Sequence, residues 1–139
     1  MSDWNDKIIA EFHENNGVVG GPFTGAHLML LTTTGAKSGE KRVTPVAHVI
    51  EGDTRIIVAS KAGAPMNPHW YHNLLKDPRV HVEEATDSGI VEYDAIASVM
   101  PEEQRAVKYA EIAESRPAFA EYQIRTDRVI PLVVLTRVD

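Results

Sequence analysis

From Leu28 onward the sequence is a succession of short apolar and β-branched runs, and most neighbouring runs are linked by too few residues for anything but a turn. That spacing constrains the fold more than any other feature. AHLMLLTTT reads as a mostly buried strand ended by Gly35. KRVTPVAHVIEGDTRIIVAS holds two strands joined at Glu51-Gly52-Asp53, where the Gly-Asp pair suits a hairpin. RVHVEEA and GIVEYDAIASVM meet at Thr86-Asp87-Ser88-Gly89, and VIPLVVLTRV is the last run. Hairpin links pair strands antiparallel, whereas a parallel sheet needs crossovers of about a dozen residues or more. The expectation is an α+β chain, mainly antiparallel β: an antiparallel barrel with helices packed around it. Pro45 lacks a backbone donor, so it belongs at an edge, a bulge or the last position before a bend.

The helices are read from spacing and caps. DWNDKIIAEFHENN, residues 3–16, gathers Trp4, Ile8, Ile9 and Phe12 on one side, so this helix should pack on the barrel. Asp3 suits its N-cap, and Asn15, Asn16 and Gly17 suit its end, before a loop, GVVGGPFTGA. Pro68 opens a short helix, HWYHNLLKD, which Pro78 closes. Pro101, Glu102 and Glu103 suit the first turn of a helix running through Glu114, and PAFAEYQIR is a second helical piece. With 139 residues, 43% of them hydrophobic, the chain reads as one domain, 1–139, with a single core.

Charge and composition narrow the function. The net charge of −6 opposes general nucleic-acid binding, which needs a surplus of lysine and arginine on one face. The charge is unevenly spread, however. Residues 28–76 carry six basic and three acidic side chains, a net of +3, and leave −9 to the rest. A basic middle in an acidic frame can attract a small anion, or it can be a few solvated lysines at a turn. No cysteine is present, which excludes disulfides and thiolate chemistry and fits a reducing cytoplasm. No apolar run approaches the roughly 20 residues needed to span a bilayer, so a soluble cytoplasmic protein is expected. Peripheral membrane contact through the first helix is opposed by Asp3, Asp6, Glu11 and Glu14 against Lys7.

There is no GxSxG elbow, no GxGxxG after a strand and no GxxxxGK[ST] loop. His69 and His72 stand three apart but have no HExxH context or third ligand, so packing or hydrogen bonding explains them better than a metal. Two stretches rise above this background. In TTTGAKSGEKRVTP, glycines on both sides of Lys37-Ser38 allow tight turns with free N–H groups, and Lys37 and Arg42 supply cationic donors, a combination suited to phosphate. In VASKAGAPMNPHWYHNLLKDP, a strand enters a loop of small residues that lets a flat ligand lie close to main chain, and Trp70 and Tyr71 follow as an aromatic wall or as core.

TTTGAKSGEKRVTP, ASKAGAPMNPHWYHNLLKDPRVHV and FAEYQIRTDRVIPLVVLTR, in this order and spacing, resemble the deazaflavin-dependent nitroreductase and F-420H(2)-dependent quinone reductase family of actinobacteria. The resemblance runs from Leu28 to Arg137 and implies a split β-barrel of the FMN-binding type that uses coenzyme F-420. It implies that Lys37 and Arg42, with Ser38, Gly39, Thr44 and Pro45, hold the phosphate and oligoglutamate tail. Ala59, Ser60, Lys61, Ala62, Gly63, Ala64 and Pro65 would line the deazaflavin, with Trp70 nearby, and Asn73 would either join them or fix the loop by hydrogen bonds. Hydride would pass to a small quinone, enone or activated nitro acceptor, with Tyr122 or Ser60 donating to the developing oxyanion. Nitroimidazole-activating members place aromatic residues at three positions three apart; this chain has Phe119, Tyr122 and Arg125 there, which favours quinones or enones. Two other readings remain at this point, an FMN oxidoreductase on a related barrel and a non-catalytic F-420 carrier. A homodimer is compatible with either.

Overall fold

The turn signals and apolar runs translate directly into elements. In the computed structural model, which describes residues 3–15, 17, 28–52, 54–60, 66–86 and 88–138, the order is α1 (Asp3–Glu14), β1 (Leu28–Thr34), β2 (Lys41–Glu51), β3 (Thr54–Val58), α2 (His69–Lys76), β4 (Arg79–Thr86), β5 (Gly89–Val99), α3 (Glu102–Ser115), α4 (Pro117–Ile124) and β6 (Leu132–Val138). Every strand pair is antiparallel: β1 with β2 and β4, β3 with β2 and β6, β5 with β4 and β6. The strands therefore close on themselves in the order β1-β2-β3-β6-β5-β4. The expectation of an antiparallel α+β fold holds, with α1, α3 and α4 on the outer face and α2 sending Trp70 and Leu74 into the interior cluster.

Alternation along the strands sorts side chains to two sides. Met29 and Leu31 of β1 face the interior with Val46, Ile57, Val82, Val133 and Leu135. Leu28 and Leu30 face outward and pack on Ile8 and Phe12 of α1. Both sides of β1 are thus buried, which is why its sequence shows no polar alternation. Burial of each such large side chain contributes about 1.5–3 kcal/mol, so α1 is held as part of the fold. A second outer cluster joins Ile56, Val58 and Leu132 of the sheet to Tyr109 and Ile112 of α3 and Phe119 of α4.

Pro45 sits in β2 opposite Leu30 of β1, while the β2 ladder to β3 begins only at His48. The missing N–H therefore falls where β2 is paired on one side, as an edge position requires. The Gly17 N–H bonds the Phe12 carbonyl at 2.7 Å and marks the end of α1. Residues 18–26 of the expected loop, and the side chains of Asp3 and Trp4, lie outside the described residues. Among the described residues no helix is long and apolar enough to cross a membrane.

Candidate functional site

The turn between β1 and β2 carries the glycine-flanked basic motif, and its own hydrogen bonds shape it. The Gly35 N–H donates to Glu40 O at 2.7 Å and the Gly39 N–H to Gly35 O at 2.9 Å. Gly39 has φ +74°, a conformation other residues adopt at a cost, and a Cβ on Gly35 would stand 2.7 Å from Ser38 Oγ. Ser38 Oγ also accepts from the Glu40 N–H at 3.2 Å. Lys37, Ser38 and Arg42 are exposed at this turn. Lys41 Nζ donates to Thr34 Oγ1 at 2.8 Å, so it belongs to the strands. Arg42 faces Glu40 at 3.5 Å with both side chains well exposed. Such a pair is worth about 0–1 kcal/mol and yields readily to a better anion. Thr44, two residues on, shares Arg42's face of β2 and pairs with the inward-facing Leu31, so Arg42 and Thr44 run from solvent to the mouth of the barrel. Pro45 turns to the other face and does not join them.

α2 braces this turn from inside. Asn73 is buried; its Oδ1 accepts from the Ala36 N–H at 3.0 Å and its Nδ2 donates to Thr33 Oγ1 at 3.1 Å. Lys76 Nζ donates to Ala36 O at 2.7 Å. The hydrogen bonds of Asn73 thus fix the β1–β2 turn. Trp70 is buried among Met29, Leu31, Val46 and Leu74, and Tyr71 packs on the same cluster. Trp70 thus forms part of the core at this end of the barrel. His69 and His72 are exposed, and among the described residues no group of three or more histidine, aspartate or glutamate side chains could hold a metal ion.

Ala59 and Ser60 follow β3 and are buried; Lys61, Ala62, Gly63, Ala64 and Pro65 lie outside the described residues. The carbonyls of Ala59 and Ser60 are both taken by one guanidinium. Arg128 donates to Ala59 O at 3.1 Å, Ser60 O at 2.7 Å and Asn67 Oδ1 at 2.7 Å.

On α4, Phe119 and Tyr122 meet edge to face with centroids 5.8 Å apart, and the Arg125 guanidinium lies 5.9 Å from the Tyr122 centroid. Phe119 is buried in the outer core, Tyr122 is half-buried and Arg125 exposed. Tyr109 donates to Phe119 O at 2.6 Å, and burial pushes its hydroxyl up to about 12. Tyr109 therefore serves as a neutral structural donor, and Tyr122, half-buried, is the one side-chain hydroxyl that α4 itself carries.

Residues 5–137 match the family model for F-420H(2)-dependent quinone reductases. The chain belongs to that family. It is 38% identical over 132 residues to an F-420H(2)-dependent quinone reductase of Mycobacterium tuberculosis, covering 92% of this chain and 86% of the relative. Among solved structures it resembles an F-420-H2 dependent reductase at 39% identity and TM-score 0.65, covering 78% of this chain and 92% of that one. A second, described as a domain-swapped dimer, is 34% identical with TM-score 0.68 and covers 96% of this chain and 97% of that one.

Within this family member two polar residues of structural weight have no sequence signature. Arg128 stands in TDRVIP, where an arginine before a strand reads as a solvated turn residue. Gln123 of α4 donates to Arg128 O at 2.8 Å and accepts from the Ile130 N–H at 3.3 Å. Their partners lie far away in the chain or depend on where α4 ends, and neither is visible in a linear pattern.

Proposed function

We propose that this quinone reductase family member binds coenzyme F-420 and reduces quinones with it, as one split β-barrel domain over residues 1–139. The observation that carries the reading is the match across residues 5–137, joined to an exposed cationic turn braced at one mouth of the barrel. Lys37 and Arg42 would hold the phosphate and carboxylates of the tail, with Ser38, Gly39 and Thr44 beside them. The turn suits that role, because Arg42's ion-pair partner among the described residues is an exposed carboxylate that it can give up, and Asn73 and Lys76 keep the backbone fixed while it does so.

Reduced F-420, when bound, supplies a hydride from its deazaflavin ring. The protein's part is to orient, exclude water and place a donor near the acceptor oxygen. Ala59 and Ser60, with the adjoining 61–65 segment, are assigned to the ring, and Tyr122 to the oxyanion, with the Ser60 hydroxyl as the other candidate donor. Arg125 adds a cation at the acceptor side, which favours quinones and enones over nitro compounds. Phe119 contributes packing beneath Tyr122. A homodimer in the cytoplasm completes the reading, and the domain-swapped relative at 34% identity supports the dimer.

Fluorescence titration with F-420 and with FMN, followed by mixing reduced F-420 with menadione, tests the proposal. F-420 binding at micromolar concentration with loss of the reduced cofactor on adding menadione is expected. Preference for FMN would reject the cofactor, and binding without turnover would leave only a carrier.

A further inference from the structure

We infer that Arg128 is a positioning residue that sets Ser60, on the ring-binding side, against α4, on the acceptor side. The inference rests on the F-420 reading above and goes beyond it. The guanidinium donates from Nη1 to Ala59 O and Asn67 Oδ1, at 3.1 and 2.7 Å, and from Nη2 to Ser60 O at 2.7 Å. Three acceptors on the strand end and on the start of the α2 segment are therefore held on one planar, rigid group. A planar fork constrains its partners in angle as well as distance, which a lysine ammonium does not.

The other half of the connection is Arg128's own main chain. Its carbonyl accepts from Gln123 Nε2 at 2.8 Å, and the same amide side chain accepts from the Ile130 N–H at 3.3 Å. Gln123 is the residue next to Tyr122 on α4. Arg128 thus lies between Ser60 and the helix that bears Tyr122, with charge-assisted hydrogen bonds from its guanidinium on one side and the Gln123 amide bonded to its carbonyl on the other. Hydride transfer requires donor and acceptor to sit within about 3–3.5 Å in a fixed orientation. A residue joining the two surfaces that hold them governs that fit without touching either molecule. Arg128 is half-buried, and burial lowers its pKa from the usual guanidinium value while it stays charged.

Arg128→Met, Arg128→Lys and Asn67→Ala separate this role from general stability. Each would be titrated with F-420 and with the tailless deazaflavin that keeps only its ribityl chain, assayed for kcat and KM with menadione, and checked by thermal melting. Arg128→Met is expected to weaken both cofactors by the same factor, roughly tenfold or more for the loss of charge-assisted bonds, and to lower kcat further at saturating cofactor. Lys37→Ala, in contrast, should weaken F-420 more than the tailless form. Arg128→Lys should recover the melting temperature but not kcat, because the charge returns without the fork. Asn67→Ala, which leaves Arg128 and its strand contacts in place, keeps the test open if Arg128→Met fails to fold; it should show a smaller loss in the same direction. Wild-type affinity and kcat in both Arg128→Lys and Asn67→Ala would overturn the inference while leaving the F-420 reading intact. Failure of the wild-type protein to bind F-420 would overturn both.

Discussion

Lys37 and Arg42 differ from the other described cations of the basic middle in how little they are engaged. Lys41 and Lys76 each have a short hydrogen bond within the fold, whereas Arg42, among the described residues, makes a looser 3.5 Å contact with Glu40. Replacing Lys37 or Arg42 with alanine should cost about 1.5–3 kcal/mol of F-420 affinity each, and less for a cofactor without its glutamate tail. Titration of the double variant with both cofactors checks this, since unchanged affinity would remove the turn from the site. Tyr122→Phe is expected to lower kcat with menadione by about a hundredfold if its hydroxyl is the sole donor, with F-420 affinity unchanged. A kcat that stays at the wild-type value across pH would assign the proton to solvent or to Ser60. The turn itself was legible, because glycines flanking Lys37-Ser38 suit a tight connection between two strands. Trp70 and Phe119 were less so: an aromatic letter beside a cofactor motif reads the same whether the ring lines a pocket or, as here, fills a core.

At the scale of elements, the turn is only as rigid as its brace. Asn73 reaches from α2 to both β1 and Ala36, and its buried amide has a partner for its oxygen and for its nitrogen. Asn73→Ala strands Thr33 Oγ1 and the Ala36 N–H of their partner, and loss of two hydrogen bonds in this setting costs about 2 kcal/mol. We expect that loss in urea denaturation, together with a weaker cofactor affinity, because the turn that presents Lys37 becomes free to move. Equal affinity with reduced stability would show that the turn holds its shape without α2. The hairpins β1–β2, β2–β3 and β4–β5 were legible, because short links leave antiparallel pairing as the one arrangement; the pairings β1–β4, β3–β6 and β5–β6, across long connections, were not. The brace was not. It depends on α2 folding back across the mouth of the barrel, and HWYHNLLKD gives the helix and its apolar side but not the strand it covers.

Ring closure makes the barrel's two ends chemically unlike. Near the mouth, exposed cations surround the β1–β2 turn. At the far end Arg55 of β3 donates to Glu84 of β4 at 2.9 Å, and these strands lie opposite one another in the ring, so the pair spans the interior. Tyr93 of β5 donates to the same carboxylate oxygen at 2.6 Å, and Arg137 of β6 lies over the Tyr93 ring at 4.9 Å. This cross-lumen network could not be read from the sequence, since Arg55 and Glu84 look like ordinary strand charges until the ring closes. Burial alone would raise the Glu84 pKa, but hydrogen bonds from Arg55 and Tyr93 outweigh it and hold the carboxyl below its ordinary value. A carboxylate depressed in the folded state stabilises the fold above its unfolded pKa, and that stability disappears as pH falls through the folded value. Wild-type protein should therefore lose stability as pH falls from the ordinary carboxylate range toward the lower folded pKa. Glu84→Gln removes the charge opposite Arg55 and should cost about 2 kcal/mol at pH 7, less than full loss of a buried pair because the amide still accepts hydrogen bonds. Urea denaturation of both proteins across the acid range tests the point. The two stability curves should converge as Glu84 becomes protonated in the wild type; curves that stay parallel would mean that the carboxylate does not contribute as a charge to holding β3 and β4 across the lumen.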